Sequence, residues 1–336
     1  METTWRSVAV TAIAPIAWGA SYVVTRELLP PGHPLWGAVL RAVPAGLLLC
    51  AVSRRRPSGS WWWRSVVLGT LTIGGFFVLV YVAATTLPSS VASTLMAVSP
   101  AALMLLAWPL LAQRPRTTQL VGAALGFIGV CAMLLTGVGG LNPVGVLASL
   151  AAMTTSSVGF ILSVRWRGDQ DVLSMTAWQL VAGGLVVVPV AALAEGAPPH
   201  LDGREIAGFA YLTVVATAIA YVAWFSGLAR LDAGAVGLIG LLNPVTGVIL
   251  GTVIAAETLT GLQLAGLALV LVGILLGQPS AVRMAGWLVR HGYLPSARLR
   301  GGDRGPADEP ARLRPRVDHR LLADPLPPRE TPCIEG

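Results

Sequence analysis

The chain has 336 residues, 54% hydrophobic and only 12% charged, with a formal charge of +7. Water-soluble domains carry about a quarter charged residues, so this composition belongs with membrane proteins. Every one of the 23 basic residues is arginine, and the absence of lysine excludes a Walker-type phosphate loop and Schiff-base chemistry.

In chain order, ten apolar runs approach or reach the roughly 20 residues that a helix needs to cross hydrocarbon. They are residues 7–27, 35–53, 65–84, 89–111, 118–137, 143–164, 173–194, 206–228, 233–255 and 261–279. Each must be helical, because no water is present in the bilayer core to satisfy an open backbone. The first run leads into Arg26-Glu27 and a proline-rich turn with no small-residue cleavage site, so it reads as a membrane span rather than a signal peptide. The second carries Arg41, flanked by apolar residues. Before the third come Arg54, Arg55 and Arg56, then Trp61, Trp62 and Trp63, the order expected of interfacial anchors beside a cytoplasmic face. Cys50, Cys131 and Cys333 have no metal or redox spacing. Residues 280–336 hold ten of the arginines with many prolines and read as a disordered cytoplasmic tail near anionic lipid headgroups. That placement of charge argues against a nucleic-acid partner.

Arginine placement sets the expected orientation. With the amino terminus in the cytoplasm, inside loops hold Arg6, Arg54, Arg55, Arg56, Arg64, Arg114, Arg116, Arg165, Arg167 and Arg230, while outside loops hold only Arg26 and Arg204. Both termini are then cytoplasmic in a multi-pass cell-membrane protein.

The chain also contains a copy of itself. Ser99 to Val130 lies over Asn243 to Ile274 without a gap, placing Pro100 on Pro244, Ala112 on Ala256, Gln119 on Gln263, Gly122 on Gly266, Leu125 on Leu269 and Gly129 on Gly273. The same offset of 144 places Tyr81 on Phe225, and an offset of 138 places Arg41 on Gln179 and Gly46 on Gly184. Five spans per copy is an odd number, so the copies should enter the membrane upside down relative to each other. The expected fold is an all-α membrane protein of ten transmembrane helices in two inverted five-helix repeats, residues 1–138 and 139–279. Inverted repeats of this kind build many secondary transporters, with the solute site at the repeat interface near midplane.

Trp18-Gly19-Ala20-Ser21 in the first span, an arginine in the second, and Pro-x(12)-Glu running into Gln-x-x-Gly-x(6)-Gly across the last two resemble EamA-type drug/metabolite transporters. The resemblance covers about residues 5–279. It implies a secondary carrier, commonly an exporter, for amino acids or other small metabolites. Gln113 departs from the pattern, since the family often has glutamate there.

Ionisable groups within spans are costly and mark candidate sites. Arg41 can hold a solute carboxylate or phosphate by a two-pronged contact; its competing role is to snorkel or to bond a helix carbonyl. Gln179, its repeat mate, offers neutral donors and acceptors, or a helix–helix hydrogen bond. Pro100 and Pro244, with Asn243, are expected to break their helices beside a cavity. Trp18, Ser21, Tyr22, Tyr81, Tyr221 and Trp224 are candidates for the wall of the site, against packing as the alternative. Glu257 is the candidate acid for proton coupling, against a helix-end or ion-pairing role, while His33 and His200 are expected in solvated outside turns. The reading that follows is a transporter of small polar or amino-acid-like solutes working by alternating access, not an enzyme, with no cofactor or metal. Its partners are the solute, the bilayer and, for coupling, protons; the sequence sets no oligomeric state. A non-transporting membrane scaffold or partner subunit is the alternative, and an intramembrane lipid-modifying enzyme lacks convergent acids and bases.

Overall fold

A computed structural model of the chain describes residues 2–30, 32–87, 95–134, 142–255 and 260–278. Glu257, Ala256 and residues 280–336, read above as a tail, lie outside the described residues, as does part of the fourth expected span. Among the described residues all regular structure is helical. The first half contains α1 (Glu2–Leu28), α2 (Pro34–Ser53), α3 (Trp61–Gly69), a π-helical turn π1 (Thr70–Gly74), α4 (Gly75–Thr86), α5 (Ser99–Leu111) and α6 (Thr117–Leu134). The second contains α7 (Pro143–Trp166), α8 (Val172–Glu195), α9 (Gly203–Thr213), a second π turn π2 (Val214–Ile219), α10 (Ala220–Leu228), α11 (Ala233–Gly240), α12 (Leu242–Ala255) and α13 (Gly261–Leu276).

Among the described residues seven helical stretches are long and apolar enough to cross a membrane: Trp5–Thr25, Pro34–Ser53, Trp61–Ala83, Pro143–Trp166, Val172–Glu195, Gly203–Leu228 and Ala233–Leu250. Three apolar helices are shorter, within α5, α6 and α13. Several helices begin on polar residues that cap their open amides. Asn142, Asp171 and Asp232 accept from the first-turn amides of α7, α8 and α11, and Asp202 with Glu205 closes a capping box on α9. Gln119 and Gln263, matched in the sequence, have matched jobs. Gln263 closes a capping box with Thr260 at the start of α13, and Gln119 accepts from the Arg116 amide at the start of α6, at 3.0 Å.

The offset of 144 reappears in backbone geometry. Adding it to Thr70, where π1 begins, gives Val214, where π2 begins. A π turn widens the helix by one residue and disturbs the carbonyl ladder, and such turns are frequent at functional sites.

Matched helices also pack on one another. A Cβ placed on Gly46 of α2 would lie 2.6 Å from Val181 Cγ2 of α8, and one on Gly184 of α8 would lie 2.6 Å from Val43 Cγ2 of α2. Adding 138 turns Gly46 into Gly184 and Val43 into Val181, so the two contacts exchange. The pair α6 and α13 repeats the pattern. A Cβ on Gly122 would sit 2.5 Å from the Gly273 carbonyl oxygen, the reverse holds for Gly273, and one on Gly129 would sit 2.5 Å from the Gly266 carbonyl oxygen. In both pairs the helices run antiparallel, and residue i meets j where j's mate meets i's mate, the mark of a two-fold relation. Small residues let membrane helices approach to this distance and gain their contacts by close packing.

The expected tryptophan belt divides. Trp62 and Trp63 are exposed, but Trp61 is buried against the Trp178 ring, 5.7 Å away.

Gly122→Ala should destabilise the protein by about 1–3 kcal/mol, the usual cost of overpacking, because the atom it meets is main chain and cannot turn aside. Gly37→Ala, where a Cβ meets nothing within 4 Å, should be neutral or mildly stabilising. Thermal unfolding of the two purified variants in the same detergent checks the contrast.

Candidate functional site

The site is built around one carbonyl. Within π2 the Ala216 oxygen accepts from two side chains of the other half: Trp18 Nε1 of α1 at 3.0 Å and Arg41 Nη2 of α2 at 3.1 Å. Arg41 Nε donates to the neighbouring Thr217 hydroxyl at 2.9 Å, and its guanidinium carbon stands 5.4 Å from the Phe77 ring centroid. The guanidinium is therefore held flat by a hydroxyl, a carbonyl and an aromatic face, half-buried in the protein. This geometry matches the competing role considered for Arg41, bonding to a helix carbonyl.

Aromatic side chains close the neighbourhood. Trp18 stands 5.4 Å from Tyr221 and 5.3 Å from Trp224, in edge and tilted arrangements that suit the ring quadrupoles. Phe160 of α7 joins Trp224 at 5.6 Å. Behind Trp18, Gly19 lets α1 pass close to α12: a Cβ there would sit 2.5 Å from the Asn243 carbonyl oxygen. Ser21 is buried one turn along α1 and donates to the Ala17 carbonyl at 2.8 Å. Tyr22 lies in α1, with its side chain outside the described part.

Asn243 and Pro244 fall where the helix restarts. α11 ends at Gly240, Leu241 turns, and α12 begins at Leu242, so Pro244 stands in the first turn of a new helix rather than deep inside a kinked one. Pro100 has the same setting, at the start of α5, where its missing amide costs nothing. A Cβ on Gly240 would lie 3.3 Å from the Trp224 ring, which brings the break against the aromatic group. Two buried polar atoms near it, Trp224 Nε1 and Asn243 Oδ1, have no hydrogen-bond partner among the described residues. Such atoms cost about 1–3 kcal/mol each and call for an explanation.

Three candidates stand apart. Gln179 is fully buried in α8, accepting from Ser163 Oγ at 3.1 Å, with its Nε2 unpartnered among the described residues. Its main-chain oxygen faces Gly69 at the α3–α8 crossing. Tyr81 packs with Phe77 and Val78 against the Leu35, Trp36 and Val187 cluster. Pro100 packs on α11, where a Cβ on Gly237 would lie 3.1 Å from its Cα. Among the described residues no group of three His, Cys, Asp or Glu side chains is placed to hold a metal ion.

Sequence reading missed Thr217, Ala216, Phe77 and Phe160. The first two lie in the π turn, which leaves no composition signal. It also missed two polar clasps between the halves. At one end, Glu195 of α8 accepts from the Leu35 and Trp36 amides of α2 at 2.8 and 3.0 Å. At the other, Gln113 accepts from the Ala233 amide at 2.9 Å, and Gln119 Nε2 donates to Asp232. Gln113, Arg114, Arg116, Gln119 and Asp232 line a cavity of about 200 Å³ there.

Residues 5–135 and 143–277 each match the EamA-like transporter family. The chain is 36% identical over 267 residues to Protein PecM of Dickeya dadantii, covering 79% of this chain and 90% of that one. It is 28% identical over 277 residues to a protein of Salmonella typhimurium named a probable amino-acid metabolite efflux pump, covering 77% and 90%. A crystal structure with 20% identity matches at a TM-score of 0.73 over 83% of this chain and 98% of the other, which is a likeness of fold. With the family unit present twice over nearly all of its described helices, this chain belongs to the EamA-like transporter family.

Proposed function

We propose that the protein is a secondary carrier that exports small polar, amino-acid-like solutes across the cell membrane, with Arg41 as the residue that grips the solute. The observation that carries this reading is the meeting of Arg41 and Trp18 on the Ala216 carbonyl beside two unpartnered buried polar atoms. A carboxylate makes a stronger, charge-assisted partner for a guanidinium than a neutral carbonyl does, so an anionic group can take over that bond. Trp224 Nε1 and Asn243 Oδ1 supply one donor and one acceptor for the rest of a small polar solute, and Trp18, Tyr221 and Trp224 supply its apolar wall. Ser21, Tyr22 and Pro244 belong to the surroundings of this site, while Gln179, Tyr81 and Pro100 stand outside it. Export as the direction rests on the name of the Salmonella relative.

The mechanism is alternating access by two inverted repeats. Its support is the exchange of contacts between α2 and α8 and between α6 and α13, each pair antiparallel. With the three shorter helices counted as spans, the crossings number ten, and the arginines favour cytoplasmic termini. Energy comes from the solute's own gradient or from protons, with Glu257 the coupling candidate.

Counterflow of labelled amino acids in proteoliposomes tests the carrier. Wild type should show saturable exchange, and Arg41→Ala at least a tenfold loss with normal membrane insertion. Thr217→Val keeps the guanidinium but removes one of its tethers, worth about 1 kcal/mol, so half-saturation should rise about fivefold. Normal exchange by Arg41→Ala would remove Arg41 from the site, and a protein with no saturable flux for any solute is a scaffold. Cysteines placed at Arg116 and Thr260 should react with an impermeant reagent from opposite sides of the membrane; reaction from one side would end the inverted-repeat reading.

A further inference from the structure

We propose that Glu195 is the positioning residue for Arg41, acting as a clasp that closes one end of the solute site. The inference rests on the alternating-access reading above.

The amino end of α2 cannot cap itself. His33, at the cap position, gives no side-chain cap, and Pro34 has no amide hydrogen. The next two amides, of Leu35 and Trp36, would be orphaned, since a helix leaves its first donors without partners. Each donates to one oxygen of the Glu195 carboxylate, at 2.8 and 3.0 Å. The Trp36 indole nitrogen adds a bond to the Gly196 carbonyl at 3.0 Å. Gly196 turns there with φ of 76°, a backbone conformation natural to glycine. Leu35 and Trp36 are both buried. The second half of the chain thus supplies the cap for a helix of the first half, with a negative group at the positive end of the helix dipole.

The cap bears on the site because of where it sits. Arg41 follows Trp36 by little more than one turn of the same helix, so the seating of α2's amino end sets the height and rotation of the guanidinium beneath it. Further down, α2 and α8 meet through Gly46, Val181, Val43 and Gly184, a contact of backbone and small groups with little freedom to open. The clasp above it consists of side chain to main chain bonds, which water can replace one for one. The opposite end has a clasp of its own, from Gln113 and Gln119 to Ala233 and Asp232. Rocking of two copies about a central contact requires the bonds at each end to break in turn, and the Glu195 end is the one tied to Arg41.

The test uses the full-length protein in proteoliposomes, with Cys50, Cys131 and Cys333 replaced by alanine and Ser21→Cys as reporter. A membrane-impermeant thiol reagent is added to one face at a time. Glu195→Gln, which keeps the size and loses the charge, should raise labelling from the Glu195 face at least tenfold and lower it from the other face; Glu195→Asp should fall between. A group that only stabilises the helix would lower the unfolding temperature and leave the ratio of the two rates as in wild type, and that outcome overturns the proposal. No labelling from one of the two faces, however long the exposure, in the Glu195-containing protein sinks alternating access itself, and the clasp with it. That result is distinguishable because it appears before any change at Glu195.

Discussion

Inside a bilayer a side-chain donor must find its acceptor within the protein. The π turn at Val214–Ile219 lies in the middle of a membrane-spanning stretch, and its Ala216 carbonyl accepts donors from both α1 and α2. Much else follows from that requirement. Trp18 must bring its indole to π2, which draws α1 against α10 and α12 and leaves room at position 19 for glycine only. Arg41, expensive in hydrocarbon, meets an oxygen and a hydroxyl together on π2.

The two copies have diverged at equivalent points. Where the first half has Arg41, the second has Gln179; where π2 has Thr217, the same offset in π1 reaches Ile73. The cation and its hydroxyl partner therefore occur together on one side of the pseudo-symmetric pair. The other side has a neutral amide bonded to Ser163 and an apolar residue packed on Gly183. The two copies thus differ in chemistry at positions that the offsets match.

Much of the architecture was legible because the residues that announce it are expensive ones. The doubled register rested on Pro, Gln and Gly, and the structure gives each a local cause: prolines in first turns, glutamines at helix starts, glycines at carbonyl contacts. Arg41 was visible because a charge in an apolar run has no cheap explanation. Thr217 and Ala216 were not, since small residues in an apolar helix look alike whether the turn is α or π. Glu195 was passed over for a similar reason. An acid at a helix end is ordinarily unremarkable, and only its meeting with α2, some 160 residues away in sequence, gives it meaning.

The glycine seam between α6 and α13 has a consequence for how this protein can change. For each of Gly122, Gly129 and Gly273 the nearest atom is a main-chain carbonyl oxygen of the opposite helix. A bulkier residue at one of them has no neighbour that could shrink to make room, so ordinary second-site suppression is closed off. Any revertant would have to shift a whole helix along its partner, and through the exchange of contacts that shift would be felt at both ends of the seam.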